Sequence, residues 1–287
     1  MKDYRREFPI GKMCKVFKVS KSAFYKSLHY LPSARDHENR LLLFEIRRIH
    51  KRSRASYGSP RITDELKVRG FKASEPRVAR LMKRHKIRAI RKKKFVVTTD
   101  SKHSFAIAEN KLNRNFTTDA AGKAWVSDIT YIRTGKGWLY LTAILDLYDR
   151  KVIGWAQSSD LSAKNTTMAA WRMAVKNREV TDSLIFHSDR GVQYACSDFT
   201  ELLGSYPQVK QSMSRKGNCW DNAVVESFFK TLKVEHVYRQ RFTDKENAAV
   251  SVFEWIETWY NRHRRHSALN NLTIEEFNKL AQTQNAA

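Results

Sequence analysis

The chain has 287 residues, with 54 Lys+Arg against 29 Asp+Glu, a net charge of +25 and a pI near 10.1. That length suffices for one large core plus small modules, and that charge calls for a polyanionic partner such as double-stranded DNA. No apolar run is long enough to span a bilayer and no secretory signal precedes or overlaps MKDYRREF, so no membrane partner is expected and the cytoplasm is the expected compartment.

The charge is unevenly placed. Residues 1–116 hold 32 basic and 10 acidic residues, whereas residues 117–287 hold 22 and 19, so the front half is the one built to grip a polyanion. Cys14, Cys196 and Cys219 are too few and too far apart for a disulfide framework or a zinc site and fit a reducing compartment. His263 and His266 in NRHRRHSAL have no matching ligand pair and read as polar or DNA-facing.

In FPIGKMCKVFKVSKSAFYKSL, Met13, Val16 and Phe17 fall at helical spacing, a short turn ends at Ser20, and Phe24 and Leu28 follow four apart. This reads as a small helix-turn-helix in which Ser20 caps a second helix presenting Lys21, Ser22 and Lys26 to DNA, or as a two-helix packing element with a solvated basic face. LPSARD reads as a hinge. A second helical module follows, with Leu42, Ile46 and Ile49 on one face, Pro60 and Pro76 in first helical turns and Gly70 at a helix stop. In its last helix Val78, Leu81 and Met82 form the buried stripe, leaving Arg77, Arg80, Lys83 and Arg84 as candidates for phosphate contact. From Arg88 to about Asp119 periodicity dissolves into a basic linker, whose Arg91, Lys92, Lys93 and Lys94 are placed to track a DNA backbone.

From Ala124 the texture changes to runs rich in Val, Ile, Tyr and Trp. AWVSDITYIRT, WLYLTAILDLYDR and KVIGWAQSSD, joined by short turns, predict an antiparallel meander. The helix NTTMAAWRMAVKNR, the strand LIFHSD, the helix SDFTELLGSY, the short run VKQSMS and a long helix from about Asp221 follow. This order is mixed-sheet α/β and matches a ribonuclease-H-like core, with the first and fourth strands side by side. In the tail, Val252, Trp255, Ile256 and Trp259 lie at helical spacing as core or a subunit contact.

Three acids stand out: Asp128 in AWVSDITYI, Asp189 in LIFHSDRGVQY and Glu226 in WDNAVVESFFKTLK. The first two fall on or just after strand-like runs, the third about a turn into an amphipathic helix. Were they to meet bare, carboxylates about 5 Å apart would repel by roughly 3 kcal/mol per pair at an effective dielectric near 20, so the cluster needs protons or a divalent metal. Hard oxygen ligands without a nearby Cys/His set favour Mg²⁺ or Mn²⁺, and two such ions suit an in-line displacement at phosphorus. On the third helix Glu226, Lys230, Lys233 and Val237 share one face, which sets both lysines beside the acid as phosphate ligands. Ser214, Arg215, Lys216, Gly217 and Asn218 form a basic loop expected to cover substrate. Asp221 and Asn222 read as N-caps, Asp146 and Asp149 as strand-end partners of Arg150, and His187 either as a residue orienting the site or as a buried strand residue.

HSDRGVQY, QSMSRKGNCWDNAVVESFFKTLKVE and WYNRHRRHSALNNLTIEEF, with YGSPRIT in the helical module, resemble the OrfB transposase of the IS-three family of bacterial insertion sequences, within the DDE transposase and retroviral integrase superfamily. The likeness covers nearly the whole chain. Two departures are visible: Asp189 and Glu226 enclose 36 residues where the family usually has thirty-five, and Ile274 stands where it often has proline. The extra residue is expected in the GSYPQVK loop. The resemblance implies a DNA transposase in which Asp128, Asp189 and Glu226 hold two metal ions, water nicks a strand at the element's end, and the freed 3′-hydroxyl attacks another phosphodiester. It also implies integration through a circular transposon, an active homo-oligomer, association with or fusion to an upstream OrfA product, and action on the nucleoid. Arg262, Arg264 and Arg265 become possible DNA contacts. The implied division is a helix-turn-helix-like segment at 1–32, a helical DNA-binding domain at 33–90, a linker at 91–118, the catalytic core at 119–240 and its helical extension at 241–287. A non-catalytic DNA-binding regulator of transposition and a ribonuclease-H-type nuclease are the alternatives.

Overall fold

The computed structural model describes residues 1–28, 32–90 and 105–285, without the side chains of Cys219 and Asn285. Arg91, Lys92, Lys93 and Lys94 lie outside the described residues. The chain begins with two short helices, α1 (Ile10–Val16) and α2 (Lys21–Leu28), joined by the turn that the sequence indicates. The Ser20 hydroxyl accepts from Ala23 N at 3.1 Å, the N-capping bond expected. The buried side of α1 differs from expectation. Met13 and Cys14 are buried, while Val16 and Phe17 are 76% and 62% exposed, because two short helices alone supply too little surface to cover a three-residue stripe.

The segment read as a hinge instead starts a helix. Ser33 and Asp36 form a capping box that opens α3 (Ala34–Arg52). The helices α4 (Ser59–Val68) and α5 (Glu75–Arg84) carry Pro60 and Pro76 in their first turns, and Gly70 takes φ 81° just past α4. Leu42, Ile46, Ile49, Ile62, Leu66, Val78, Leu81 and Met82 form the module's core.

The sheet contains β1 (Ala124–Thr134), β2 (Gly137–Asp146), β3 (Val152–Ser158), β4 (Leu184–Ser188) and β5 (Val209–Met213), in the order β3-β2-β1-β4-β5. The first three form the antiparallel meander, and β4 and β5 join in parallel. This is the mixed-sheet order of a ribonuclease-H-like core. The side-chain alternation of β1 divides two hydrophobic cores: Ala124 and Val126 face one, Trp125 the other. Helix α6 (Thr167–Asn177) crosses from β3 to β4, and α7 (Val192–Ala195) and α8 (Ser197–Gly204) cross from β4 to β5. A Cβ on Gly154 would stand 2.7 Å from Ala174 Cβ, so glycine there permits α6 to lie directly on β3.

The opposite face carries α9 (Ala223–Glu235), preceded by a 3₁₀ turn at Cys219–Asn222. It stops at Glu235, so Val237 sits in a following turn and not on the helix face shared with Glu226. Helix α10 (Lys245–Glu254) continues through a π-helical turn at Trp255–Tyr260, and α11 (Ile274–Asn285) ends the described chain. Val252, Trp255, Ile256 and Trp259 are buried against Phe228, Phe229 and the helical module, so that stripe is core.

His266, read as polar or DNA-facing, and Arg264 and Arg265, which the resemblance offers as DNA contacts, are buried here. Arg264 forms a bidentate pair with Glu235 at 2.8 and 3.0 Å, and Arg265 binds Glu65 at 2.7 Å and Glu276 at 3.0 Å. Their partners come from distant segments, so the local run of charge conceals its structural use. Arg262 and His263 are exposed. Asp146 and Asp149 are fully buried and pair with Arg178 at 2.9 and 2.8 Å instead of with Arg150. Arg150 takes φ 63° in the turn and points its Nη2 at Phe116 O.

Candidate active site

Parallel pairing of β1 and β4 sets Ser127 opposite Ser188. Asp128, the next residue of β1, and Asp189, just past the end of β4, therefore follow at neighbouring positions of adjacent strands. The sheet's parallel step thus brings together two acids separated by 60 intervening residues. Asp128 Oδ1 accepts from Ile129 N at 2.7 Å, and Asp189 Oδ1 accepts from Gly191 N at 2.9 Å. Glu226 stands in the first turn of α9, where the helix N-terminus favours negative charge.

The three acids share one field. Burial first, then Asp189 and Glu226, push the Asp128 carboxyl well above the ordinary carboxylate range. Burial and Asp189 push Glu226 up as well. Lys233, two turns along α9, is lowered by burial and raised in turn by Asp128, which puts its ammonium within reach of the acids' field. Lys230 lies half-buried on the same helix. Among the described residues no three His, Cys, Asp or Glu side chains are gathered tightly enough to form a ready-made three-ligand cage. The donor set still fits Mg²⁺, which takes one or two carboxylates and completes its shell with water and substrate phosphate. It does not fit zinc, for no Cys or His joins it.

Several residues that hold this arrangement escaped the sequence reading. Tyr194 O–H and Ser127 Oγ are 2.8 Å apart beneath the two aspartates, and burial with their negative charge drives the phenol well above its ordinary range. The site's tyrosine is therefore a protonated structural hydroxyl. Its place in HSDRGVQY was the available signal. Asn222 occupies the N-cap position of α9 but makes no capping bond; its amide donates to Ser127 O at 3.0 Å. Asp221 is not a cap either. It is fully buried and accepts from Arg215 Nη2 at 2.8 Å, Arg114 Nε at 2.8 Å and Asn110 Nδ2 at 2.9 Å, contacts that hold its carboxyl below the ordinary range. This cluster staples residues 110–114 to the basic loop before α9. Lys216 is exposed at its tip, and the Arg215 guanidinium is half-exposed beside Asp221.

His187 is buried between Ser212 Oγ at 2.8 Å and Ser214 Oγ at 3.2 Å, and burial lowers it to about 4. It is a neutral strand residue that connects β4 to β5. The helical module's candidates form a separate feature. Arg77, Arg80, Lys83 and Arg84 line a cleft of about 560 Å³ with Arg35 and Asn39, where Arg77 binds Asn39 at 2.9 Å and Glu38 at 2.9 Å. None of these joins the acids.

Comparison with known proteins agrees with this architecture. Residues 118–219 and 207–273 match integrase core domain models, and residues 36–95 match an HTH-like domain. The chain is 40% identical over 265 residues to an uncharacterised 31 kDa protein of insertion element IS600 from Shigella sonnei, covering 92% of this chain and 97% of that one. It is 37% identical over 280 residues to the transposase InsF of insertion sequence IS3A from Escherichia coli, covering 96% and 95%. Among solved structures, a simian T-cell lymphotropic virus intasome aligns with TM-score 0.43 and 14% identity over 75% of this chain and 70% of that one. The HTLV-2 integrase catalytic core in complex with magnesium aligns with TM-score 0.41 and 17% identity over 55% and 97%. Among the described residues no helix is long and apolar enough to cross a membrane.

Proposed function

The chain belongs to the IS3 family of insertion-sequence transposases, DDE-type polynucleotidyl transferases, and we propose that Asp128, Asp189 and Glu226 are the residues with which it nicks transposon ends and transfers strands. The observation that carries this reading is the β1–β4 register, which sets Asp128 beside Asp189 in the field of Glu226. Three carboxylates in one field are unstable as anions unless a cation answers them. Magnesium or manganese, two ions in this reading, would be held by these acids and supplies charge neutralisation and activation of the attacking oxygen when bound.

The chain's own residues do the positioning. Asp128 inside β1 and Asp189 just past β4, each fixed by a backbone N–H group, define where the scissile phosphate sits. Lys233 and Lys230 neutralise phosphates flanking it, and the loop bearing Arg215 and Lys216 closes over the strand. In the first step water attacks the scissile phosphorus, the P–O3′ bond breaks, and a 3′-hydroxyl is released. In the second that hydroxyl attacks another phosphodiester, forming one P–O bond as another breaks. No protein nucleophile is required, and the buried, protonated Tyr194 is not placed to serve as one. The helical residues 1–90 and the basic stretch 91–118 would bind the double-stranded DNA that the core at 119–240 and its extension at 241–287 process on the bacterial nucleoid. Because two ends must be handled together, the active form would be a dimer or larger, associated with or fused to an upstream OrfA segment.

The test is incubation of the protein, with and without that upstream segment, with labelled DNA carrying the element's ends and Mg²⁺, against Glu226→Gln. Metal-dependent nicking and joining lost in the variant support the reading. Equal DNA binding with no cutting by either protein in either form would make the chain a regulator. Cleavage of RNA–DNA hybrids without joining would make it a nuclease.

A further inference from the structure

A second charged feature lies where the helical module, α9 and the C-terminal segment meet. A cavity of about 350 Å³ opens there, and its lining includes three arginines, Arg61, Arg150 and Arg264, together with Ser227, His266 and Ser267. The three arginines come from α4, the β2–β3 turn and the segment after Tyr260, so the cavity exists only because all three parts of the chain pack together.

The charges in it do not balance. Arg264 is paired with Glu235. The Arg61 guanidinium lies over the Tyr57 ring, 5.6 Å from its centroid, a contact that supplies no oxygen acceptor. Arg150 gives Nη2 to Phe116 O at 2.7 Å, but its Nε and Nη1 are buried with no hydrogen-bond partner among the described residues. The acids in its field, Asp146 and Asp149, bond to Arg178 and offset the charge of Arg150 without accepting from it, so Arg150 lacks acceptors while the surplus charge is that of Arg61 and Arg264 over Glu235. His266 is held neutral by burial and by Arg264, so it neither adds charge nor relieves it.

A guanidinium does not escape such a site by losing its proton, and a buried donor of a charged group without an acceptor costs at least about 1–3 kcal/mol. Packing alone does not call for that expense at a turn residue that also takes a left-handed backbone conformation. An oxyanion in the cavity would offset the surplus charge of Arg61 and Arg264 over Glu235, lie against Ser227 and Ser267, and give the buried Nε and Nη1 of Arg150 an acceptor once that side chain turns toward it.

We propose that this cavity is a phosphate-binding site at the junction of the helical module and the catalytic core. The phosphate group comes either from a DNA backbone or from free anion in solution. Binding would draw together the three segments that supply the arginines and fix the helical module against α9, whose Ser227 follows Glu226 directly. The site does not depend on the catalytic reading, and its test does not read cleavage.

The experiment uses the full chain in two arms. In the first, thermal unfolding is followed as sodium phosphate replaces sodium chloride at constant ionic strength. In the second, affinity for a double-stranded oligonucleotide is measured against salt. Wild type is compared with Arg150→Gln, with Arg61→Gln and with Arg172→Gln, which alters an exposed arginine of α6 across the sheet. A saturable rise in Tm with phosphate that Arg172→Gln keeps and the pocket variants lose bears the site out. If DNA is the source, the slope of log K against log salt becomes shallower by about 0.9 in the pocket variants. An unchanged slope beside a lost phosphate response assigns the site to free anion. If Arg150→Gln does not fold, Arg61→Gln decides by the same readings. A phosphate response shared equally by all four proteins, or neither a response nor a slope change, overturns the proposal.

Discussion

The side-chain amide of Asn222 donates to the backbone carbonyl of Ser127 at 3.0 Å, joining the residue before Asp128 to the N-terminus of the helix that carries Glu226. Ser127 Oγ also meets Tyr194 O–H at 2.8 Å, and Tyr194 lies five residues beyond Asp189. One serine therefore links the three chain segments that bear the acids. Replacing Asn222 with alanine leaves the Ser127 carbonyl buried without its partner, a loss of about 1–3 kcal/mol. It also frees α9 to shift against β1, and a displacement near 1 Å costs roughly 100-fold in a positioned reaction. Asn222→Ala is expected to lower the strand-nicking rate about 10–100-fold while DNA affinity holds. Unchanged nicking in a variant shown to be less stable by urea unfolding would dissociate this bond from the site's geometry.

A second prediction concerns the metal. Burial and Asp189 hold the Asp128 carboxyl above its unfolded value, so it contributes stability at acid pH that is lost as pH rises through its folded pKa. At pH 8 without divalent ions the wild-type site is strained by its own charge. Mg²⁺ should therefore raise the Tm of wild type. Asp128→Asn should be more stable than wild type in EDTA and should gain little from Mg²⁺. Scanning calorimetry of both proteins with and without Mg²⁺ checks this, and an equal Mg²⁺ gain in the two would refute it.

What the sequence disclosed and what it hid follow from the range of the interactions. Strand alternation and the turn residues Gly135 and Gly137 are local signals, so the meander was legible, and the HSD and VVES contexts marked the acids. Burial of charge is not local. Asp221 looks like a helix cap until Arg114, 107 positions away, reaches it. Arg265 looks like part of a basic surface run, yet its partner Glu65 is 200 positions distant. Period alone also misjudged α1, where Val16 keeps helical spacing but finds nothing to pack against.

Arg265 yields the third prediction. Its side chain is 3% exposed and bridges Glu65 of α4 to Glu276 of α11, while its backbone N donates to Tyr57 Oη at 2.7 Å. Removing it takes the nearest cation from two carboxylates at the contact between the helical module and the extension, leaving Glu65 with Arg69 at 3.7 Å and Glu276 with Thr273 N at 2.8 Å. Arg265→Met is expected to cost about 3 kcal/mol, the lower end for a broken buried pair because both glutamates keep some solvent. The salt dependence of DNA binding should not change. Urea unfolding reads the first effect, and a shallower salt slope with full stability would instead make Arg265 a DNA contact.

The last prediction is a pH dependence at the same contact. His236, just past α9, has Nδ1 2.6 Å from Arg54 Nη1 and Nε2 2.9 Å from Ser251 O, and it stacks on Trp255. This pattern requires the neutral ring, with Nδ1 accepting from the guanidinium and Nε2–H donating to the carbonyl. Burial and the charges of Arg54 and Arg239 lower it to about 4. In the unfolded chain a histidine titrates near 6.5. Between those values the unfolded state binds a proton that the folded state refuses, so stability is full above about pH 6.5 and declines as pH falls toward 4. The full shift corresponds to about 3 kcal/mol. His187 and His266 are lowered too and add a decline of the same sign, so the informative quantity is a difference between proteins. The gap in unfolding free energy between wild type and His236→Gln should narrow by about 2–3 kcal/mol from pH 7 to pH 4.5. Because the ring binds Arg54, acid should also release the helical module from the core before the sheet unfolds. Hydrogen exchange at pH 5 should then show α3 and α4 losing protection ahead of β1 and β2. A gap that stays constant with pH would mean that His236 is protonated in the folded protein and that its bond to Arg54 does not form in solution.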